Sequence, residues 1–371
     1  MKKILKKTIA MNYRFIVILI LVPLILQSVS AQGNSETRNF IKTLPVGGET
    51  SLEVYNKYGT IQITKWEKDS AMIRSEIKAV ASNSEKLDKM FDGISINMTE
   101  SKDQIRAETK FTQNIGMIFE NFKGMTSKLI SYDSRVEINY YISIPEYINL
   151  KIENKYGDVY MEEITGDFSI SLSNGSFKAN SLGKNSMLNL TFCDATINSL
   201  SSGKIDASFS EVSSDEFGDV SVNSISSKYE VKKAGIITIE SRRDKFNIDN
   251  IKTIKGTSYF TDFNLKNLSG EASLSTKYGN INVDLIENGF ESVNLNTGYT
   301  DITLGFVPGS SYNIDIRHLN AFLVISDKSA RTEKKVLNED KKEYITTGTV
   351  GKNPGSAKVS IDATHGDIYL K

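Results

Sequence analysis

A short apolar pattern that recurs at nearly constant spacing constrains the fold of this chain more than any other feature. From residue 159 onward the order apolar, any, apolar, any, any, apolar recurs with a period of about 17–21 residues, which marks a repeat architecture. Alternating positions are typical of half-buried strands, so each repeat predicts two short strands separated by turns. The copies start at Val159, Phe177, Ala195, Val212, Tyr229, Phe246, Phe263, Ile281 and Ile302.

The length of the repeat excludes several repeat architectures. A propeller blade needs about 40 residues, and a left-handed hexapeptide helix needs an apolar residue every six positions, where Phe177 is followed by Gly183 and Asn189. One coil of a parallel β-helix fits, because each coil buries its apolar face only against its neighbours. The sequence therefore predicts a mainly all-β protein, with an irregular parallel β-solenoid of about nine to eleven coils over residues 150–371.

The chain before the solenoid has a different pattern. Residues 51–55 alternate as a strand, and Ser82 with Glu85 forms a capping box that predicts one helix near residues 83–92. We therefore expect residues 32–149 to form a small β-rich domain with one helix. Because the open end of a solenoid exposes a sheet edge that invites aggregation, this domain is expected to cap the first coil.

A helical pattern also occurs inside this region, over residues 114–131, from Asn114 to Ser131. Its apolar residues recur at helical spacing. They are Ile115, Ile118, Phe119, Phe122, Met125 and Leu129. The pattern predicts either a helix that covers the end of the solenoid or an exposed partner-binding flap.

Residues 1–31 have the three parts of a secretory signal peptide: basic residues, an apolar run over 15–26, and small residues before Gln32. Twelve residues rise only about 18 Å as a helix, short of the ~30 Å hydrocarbon core. We expect cleavage after Ala31 and a mature chain with no transmembrane span. That chain carries 40 basic and 45 acidic residues and no basic run, so nucleic acid is not an expected partner. The expected location is the periplasm, the outer membrane surface or the outside of the cell.

Few residues suggest catalysis. The single cysteine, Cys193, and the two histidines, His318 and His365, lie far apart in sequence, so we expect no disulfide framework, no metal site and no cofactor. Nucleophile-elbow, Walker and dinucleotide-binding motifs are absent from the sequence. The cluster from Arg242 to Asp244 is the one that would suit a polysaccharide-processing β-helix enzyme, a lyase or hydrolase. That alternative stands beside the favoured interpretation, a non-catalytic scaffold that binds a protein or glycan.

The most visible motif is Lys-Tyr-Gly, at Tyr58, Tyr156 and Tyr278, with a related turn at Tyr299 and a histidine variant at His365. One interpretation is a corner turn in which the glycine supplies a positive φ and the ring packs over the bend. The other is an exposed face that binds sugar rings or a peptide. We take these four tyrosines as candidate binding residues, and we expect Tyr278 and Tyr299, in consecutive coils, to lie about 5 Å apart.

An acidic residue often stands directly before the apolar triplet. The carboxylate either bonds its own backbone in a turn or contributes to a ladder of Ca²⁺ ligands. Lys228 and Lys245 occupy the same position in intermediate repeats, and the glycine-rich calcium nonapeptide is absent, which favours the turn. The acids are Asp158, Asp194, Glu211, Asp262, Asp301 and Asp367.

The signal peptide, the opening segment, the motif from Asn154 to Val159 and the coils after it resemble the exported, adhesin-like β-solenoid family of bacterial proteins. The resemblance extends from about residue 50 to residue 371. It implies a role in cell-surface adhesion or an association with the cell envelope, with a protein or glycan there as partner.

Overall fold

The computed structural model describes residues 34–112 and 134–371, which are almost entirely β-strand. The predicted signal peptide and the 114–131 segment lie outside these residues. The amino-terminal elements are β1 (Asn34–Pro45), β2 (Ser51–Lys57), β3 (Ile61–Lys65), β4 (Ser70–Ala81), α1 (Ser84–Asp92), β5 (Ile94–Ser101), β6 (Gln104–Phe111) and β7 (Ser134–Ile144). The following strands are β8 (Asn149–Lys155), β9 (Val159–Ile164), β10 (Phe168–Leu182), β11 (Ser186–Ser208), β12 (Glu211–Ile225), β13 (Lys228–Arg242), β14 (Lys245–Ile286), β15 (Ser292–Phe306), β16 (Tyr312–Leu319), β17 (Leu323–Ile325), β18 (Arg331–Asn338), β19 (Glu343–Val350), β20 (Lys358–Thr364) and β21 (Ile368–Leu370).

The central strands form the predicted parallel solenoid. Ile170 of β10 lies opposite Leu188 of β11, and Val222 of β12 lies opposite Ile239 of β13. These offsets equal the repeat length of the sequence, so equivalent positions of successive coils lie above one another, about 4.8 Å apart. The all-β solenoid class is thus confirmed.

The apolar triplets point into one continuous core, because alternation turns every second side chain of a strand inward. Phe246 and Ile248 are 1% exposed, whereas Asn247 between them is half-exposed. The rings of Tyr229, Phe246 and Phe263 stack inside the core at centroid distances of 4.6 and 5.4 Å. Among the triplet residues only Val307 is not fully buried.

The parallel stack extends across the expected boundary at residue 150. β2 pairs in parallel with β8, and β3 pairs with β9. On the other side of this layer, β6 pairs in parallel with β2, and β7 with β3. The strands β2, β3, β6 and β7 thus contribute coils before residue 150, and their layers stack in an order that differs from the chain order.

Antiparallel strands close this end of the stack. β5 pairs with β6, β4 with β7, and β1 with β4, all antiparallel. The helix α1 lies against this end through the buried Leu87 and Phe91. Its N-cap is Asn83 and not the expected Ser82, because the Asn83 side chain accepts a hydrogen bond from the Lys86 backbone N–H. No helix of residues 34–112 and 134–371 is long and apolar enough to cross a membrane.

The carboxy-terminal strands are inserted between earlier ones. β20 pairs in parallel with both β15 and β16, and β21 pairs with both β15 and β17. The coil formed by β16 and β17 is therefore the outer one, although it comes earlier in the chain. The antiparallel strands β19 and β18 extend the sheet beyond β16.

Candidate functional site: an aromatic corner

From the layer of β2 and β3 onward, the corner between the two strands of a coil contains a residue with positive φ that is not glycine. We call this row the corner column. Its φ angles, 49–65°, lie in the left-handed region of the backbone, which residues other than glycine and asparagine rarely adopt. In stacking order the column consists of Tyr58, Tyr156, Asn174, Phe192, Phe209, Ser226, Arg243, Phe260, Tyr278, Tyr299, His365 and Asn320.

The expectation that the glycine of Lys-Tyr-Gly supplies the positive φ is wrong, since the tyrosine supplies it. The glycine is needed for a different reason. A Cβ atom on Gly157 would lie 2.0 Å from the Gly59 carbonyl oxygen, and one on Gly279 would lie 2.0 Å from the Thr261 carbonyl oxygen. The coils approach each other so closely at these points that a side chain has no room.

Backbone hydrogen bonds between coils fix the corner. The Phe209 N–H donates to the Ile225 carbonyl oxygen at 3.0 Å, and the Ser226 N–H donates to the Arg242 carbonyl oxygen at 2.9 Å. Arg243 repeats the bond to Tyr259 at 2.8 Å. Each corner side chain is therefore held directly above the previous one.

The aromatic members of the column stack as near-parallel rings. Tyr278 and Tyr299 are 5.3 Å apart between centroids, as expected, and His365 continues the stack at 4.5 Å from Tyr299. Tyr58 and Tyr156 form a second stack at 5.5 Å, near the other end of the solenoid. The four candidate tyrosines thus share one column but belong to two separate stacks.

Three phenylalanines of this column are not among the residues predicted from the sequence. Phe192 and Phe209 stack at 5.0 Å, and Phe260 stacks on Tyr278 at 4.8 Å. They lack the Lys-Tyr-Gly motif, but counting onward from Tyr156 by one repeat length at a time leads to all of them. The rings are substantially solvent-exposed: Phe192 56%, Phe209 55%, Phe260 52%, Tyr278 41% and Tyr299 55%.

Behind the corner, a ladder of side-chain oxygens joins successive coils. The Cys193 N–H donates to Ser210 Oγ at 3.1 Å, and the Ser210 N–H donates to Ser227 Oγ at 3.2 Å. The Ser227 N–H donates to Asp244 Oδ1 at 2.6 Å. Cys193 is buried beside a core strand as expected, and burial raises the pKa of its thiol.

The carboxylate of Asp244 lies inside the solenoid, only 4% exposed. It accepts hydrogen bonds from the hydroxyls of Ser224 and Ser241 and from the N–H groups of Ser227 and Arg242. Arg243, by contrast, points outward and is exposed. The Arg242–Asp244 cluster therefore does not present its carboxylate to a substrate at the surface.

The acidic residues before the triplets bond the neighbouring coil. Asp158 Oδ1 accepts a hydrogen bond from the Ser176 N–H at 2.8 Å, and Asp301 Oδ1 accepts one from the Asp367 N–H at 2.8 Å. These bonds give the carboxylates a role in the turns, although the partner is the next coil and not their own backbone. Within residues 34–112 and 134–371 no three His, Cys, Asp or Glu side chains form a group suited to hold a metal ion.

A depression with a volume of about 540 Å³ lies on the flank formed by the triplet strands. Its charges pair with each other from coil to coil. Lys232 Nζ lies 2.6 Å from Asp215 Oδ1, and Lys266 Nζ lies 2.6 Å from Asp249 Oδ1. This flank is a solvated, self-paired surface, which leaves the corner column as the stronger candidate site.

The chain is thus a parallel β-solenoid with a row of stacked rings along one corner. No protein-family model and no curated protein matches it. Among solved structures it aligns with a crystal structure from Clostridium sporogenes named a "putative cell adhesion protein", at 14% identity over 91% of this chain and 99% of that chain, with a TM-score of 0.18. A match with this TM-score carries nothing over to this chain.

Proposed function

We propose that this protein is a non-catalytic, exported, adhesin-like scaffold of the bacterial cell envelope that binds a glycan or an extended protein segment along its corner column. The observation that supports this proposal is the row of exposed, stacked rings on residues with left-handed backbone. Rigid aromatic side chains offer contact area at low entropic cost and suit sugar rings or extended peptides.

Stability alone does not account for aromatic residues at this corner. A left-handed residue with a side chain costs about 1–2 kcal/mol, while a ring stack returns about 0.5–1.5 kcal/mol. Asn174 and Asn320 occupy the same corner, so the fold accepts the residue type that adopts this φ most easily. Rings such as those of Phe192 and Phe209 add exposed apolar surface, which is typical of an interaction site when it is contiguous.

Export is the second part of the proposal. It is supported by the basic residues, the apolar run and the small residues ending at Ala31, and by the resemblance of the coils to exported adhesin-like proteins. Mass spectrometry of the secreted or periplasmic fraction tests it, because cleavage after Ala31 gives a terminus at Gln32. An intact Met1 or Met11 terminus in the exported protein would contradict it.

The binding role is tested with the double variant Tyr278→Asn and Tyr299→Asn, since asparagine keeps the left-handed backbone and removes both rings. We expect loss of binding to cells and to immobilised glycans or peptides, with nearly unchanged thermal stability. A matched control, Ile41→Ser with Val336→Ser, removes exposed apolar side chains away from the column and should bind normally. Unchanged binding by the tyrosine variant would overturn the proposal, and depolymerisation of a polysaccharide by the purified wild type would overturn its non-enzymatic part.

A further inference from the structure

The corner column has a gap two coils wide. Phe209, Ser226, Arg243 and Phe260 lie in four successive coils, so the two phenylalanine rings are three coil steps apart, about 14 Å. Rings of the column that occupy neighbouring coils lie 4.5–5.5 Å apart. An open surface depression of about 640 Å³ lies at this gap, and we call this depression the notch.

The notch has apolar walls with open ring faces. Phe209 stacks on Phe192 on one side only, and Phe260 stacks on Tyr278 on one side only. Tyr278, inside a continuous stack, has rings on both sides. The exposed side chains of Ile225 and Tyr259, each directly before the corner of its coil, add apolar surface beside the notch.

The two coils of the notch carry a lysine at the position directly before the triplet. The position directly before the triplet reads Asp194, Glu211, Lys228, Lys245, Asp262 in successive coils, so the charge changes sign only within the notch. Lys228 is paired with Glu211 at 2.9 Å and with Glu230 at 2.7 Å. Arg243 and Lys245 are exposed and form no ion pair with any residue that the structure describes.

Hydrogen bonds to one buried carboxylate hold the backbone of the notch. The buried Asp244 carboxylate accepts from the Ser227 N–H at 2.6 Å in one coil and from the Arg242 N–H at 3.2 Å in the next. It thereby fixes the backbone on both sides of Arg243. A preorganised site loses less conformational entropy on binding, so its contacts contribute more to affinity.

We propose that the notch binds one acidic sugar residue of a polysaccharide. The pyranose ring occupies the missing layer against the open face of Phe209 or Phe260, and its carboxylate is bound by Arg243 and Lys245. This inference rests on the proposed binding function of the corner column. Arginine suits a carboxylate because its planar fork donates two parallel hydrogen bonds, and the ring faces suit a sugar better than a small free anion.

The acidic residues that border the notch further restrict the class of polymer that can bind there. A second anionic group would meet Asp262 one coil along the axis on one side, or Glu211 two coils along on the other. The arrangement therefore favours acidic sugars separated by neutral ones. It disfavours nucleic acid, whose phosphates carry a charge at every step and would be repelled at both borders.

The first test measures binding of hyaluronan oligosaccharides, in which uronic acid and neutral sugars alternate. We expect the double variant Arg243→Asn and Lys245→Gln to lose affinity about tenfold or more, because charge-assisted hydrogen bonds are removed while asparagine keeps the corner backbone. The same oligosaccharides with carboxyls reduced to alcohols should bind the wild type as weakly as the variant binds the native ones. No binding by the wild type, equal affinity in the variant, or tighter binding of heparin or single-stranded DNA would overturn the inference.

A filling variant separates the notch from the rest of the column. Ser226→Phe supplies a missing ring, so hyaluronan binding should fall while the melting temperature stays equal or rises. Asn174→Phe fills the other interruption, between Tyr156 and Phe192, where the position before the triplet is Ser176 and not a lysine, and should leave hyaluronan binding unchanged. If hyaluronan fails to bind but Tyr278→Asn with Tyr299→Asn still abolishes cell adhesion, the inference fails and the proposed function stands. If that tyrosine variant adheres normally, the proposed function fails by itself.

Discussion

The middle coils of this solenoid and its two ends use the same kind of strand but assemble it in different orders. From β10 to β15 each coil lies on the one before it in the chain, displaced by one repeat. At the amino-terminal end the layer of β6 and β7 lies outside that of β2 and β3, and at the other end β20 lies inside β16. The periodic part of the sequence therefore forms a sequential stack of coils, and non-sequential and antiparallel strands form its two ends.

Antiparallel strands at both ends also change the edge chemistry. A parallel stack alone would end in a bare row of N–H and C=O groups, which invites pairing with another chain. The outer strand β18 is exposed along most of its length and carries Arg331, Lys334 and Lys335. Charged edges of this kind disfavour edge-to-edge association. The middle coils need no such protection because both of their edges are paired.

The largest effect is expected for Ile248→Asp in the middle coils. An unpaired charge would enter a core position that is 1% exposed, so the free energy of unfolding should fall by about 3–5 kcal/mol. Chemical denaturation measures this loss. The control Asn247→Asp should be nearly neutral, because this half-exposed side chain only accepts a hydrogen bond from Asn264, at 2.9 Å. Equal losses in both variants would mean that the strand register is shifted by one residue.

Deletion of residues 358–371 should unfold the carboxy-terminal end of the solenoid and leave the middle coils folded. It removes β20 and β21, and with them the parallel partners of β16 and β17. We expect hydrogen-exchange protection to disappear over residues 312–350 and to persist over residues 186–286. Persistent protection of β16 would contradict the inserted position of β20, and a uniform loss would show that end and middle unfold as one unit.

A smaller effect is expected from pH at the same end. His318 Nδ1 lies 2.8 Å from the Ala321 carbonyl oxygen, to which it donates, and its buried Nε2 has no partner. Burial, with the nearby Lys334, lowers the pKa of His318 below its ordinary 6.5. The neutral form of His318 is thus favoured in the folded state. The stability that this neutral side chain contributes is fully present above about pH 6.5, and it is lost as the pH falls from there through the lower folded-state pKa.

Hydrogen exchange at pH 7 and pH 5, corrected for intrinsic rates, measures this opening over residues 312–350. In His318→Phe the pH dependence of local opening should vanish because the titrating group is gone. The middle coils from β11 to β13 contain no histidine and should show no comparable change between these pH values. Equal pH dependence in the variant would assign the effect to another group.

The smallest effect on stability is expected for Phe192→Asn in the corner column. Loss of the 5.0 Å stack with Phe209 should cost about as much as relief of the left-handed backbone strain gains, so the change stays within about 1 kcal/mol. Thermal unfolding measures it, and Phe177→Ala, in the neighbouring core, is the contrasting variant with an expected loss of about 3–5 kcal/mol. A large loss in Phe192→Asn would make the rings part of the folding core.

The sequence predicts the middle coils well because their rule is local. Positions such as Phe246 and Ile248 alternate with polar residues, and the repeat length alone places them over Tyr229 and Val231. The insertion of β20 has no such signal, since alternation shows which side chains face inward but not which coil is the neighbour. For the same reason the sequence placed the first coil at residue 150 rather than in the layers of β2 and β6.

In the corner column, the local sequence pattern assigns the positive φ to the wrong residue. Glycine is the residue that most readily adopts positive φ, so Gly157 was expected to supply it. In the structure Tyr156 has φ 59°, and Gly157 is required by the approach of the Gly59 carbonyl from the next coil. Such contacts between coils belong to tertiary structure and have no signature within one repeat.

The inserted strand β20 also determines when this protein can finish folding. A solenoid with sequential coils can add each coil as soon as the chain that forms it is available. Here residues 312–325 have no parallel neighbour until residues 358–370 have been synthesised. The outer coil of β16 and β17 therefore assembles only after a segment more than thirty residues further along the chain is available.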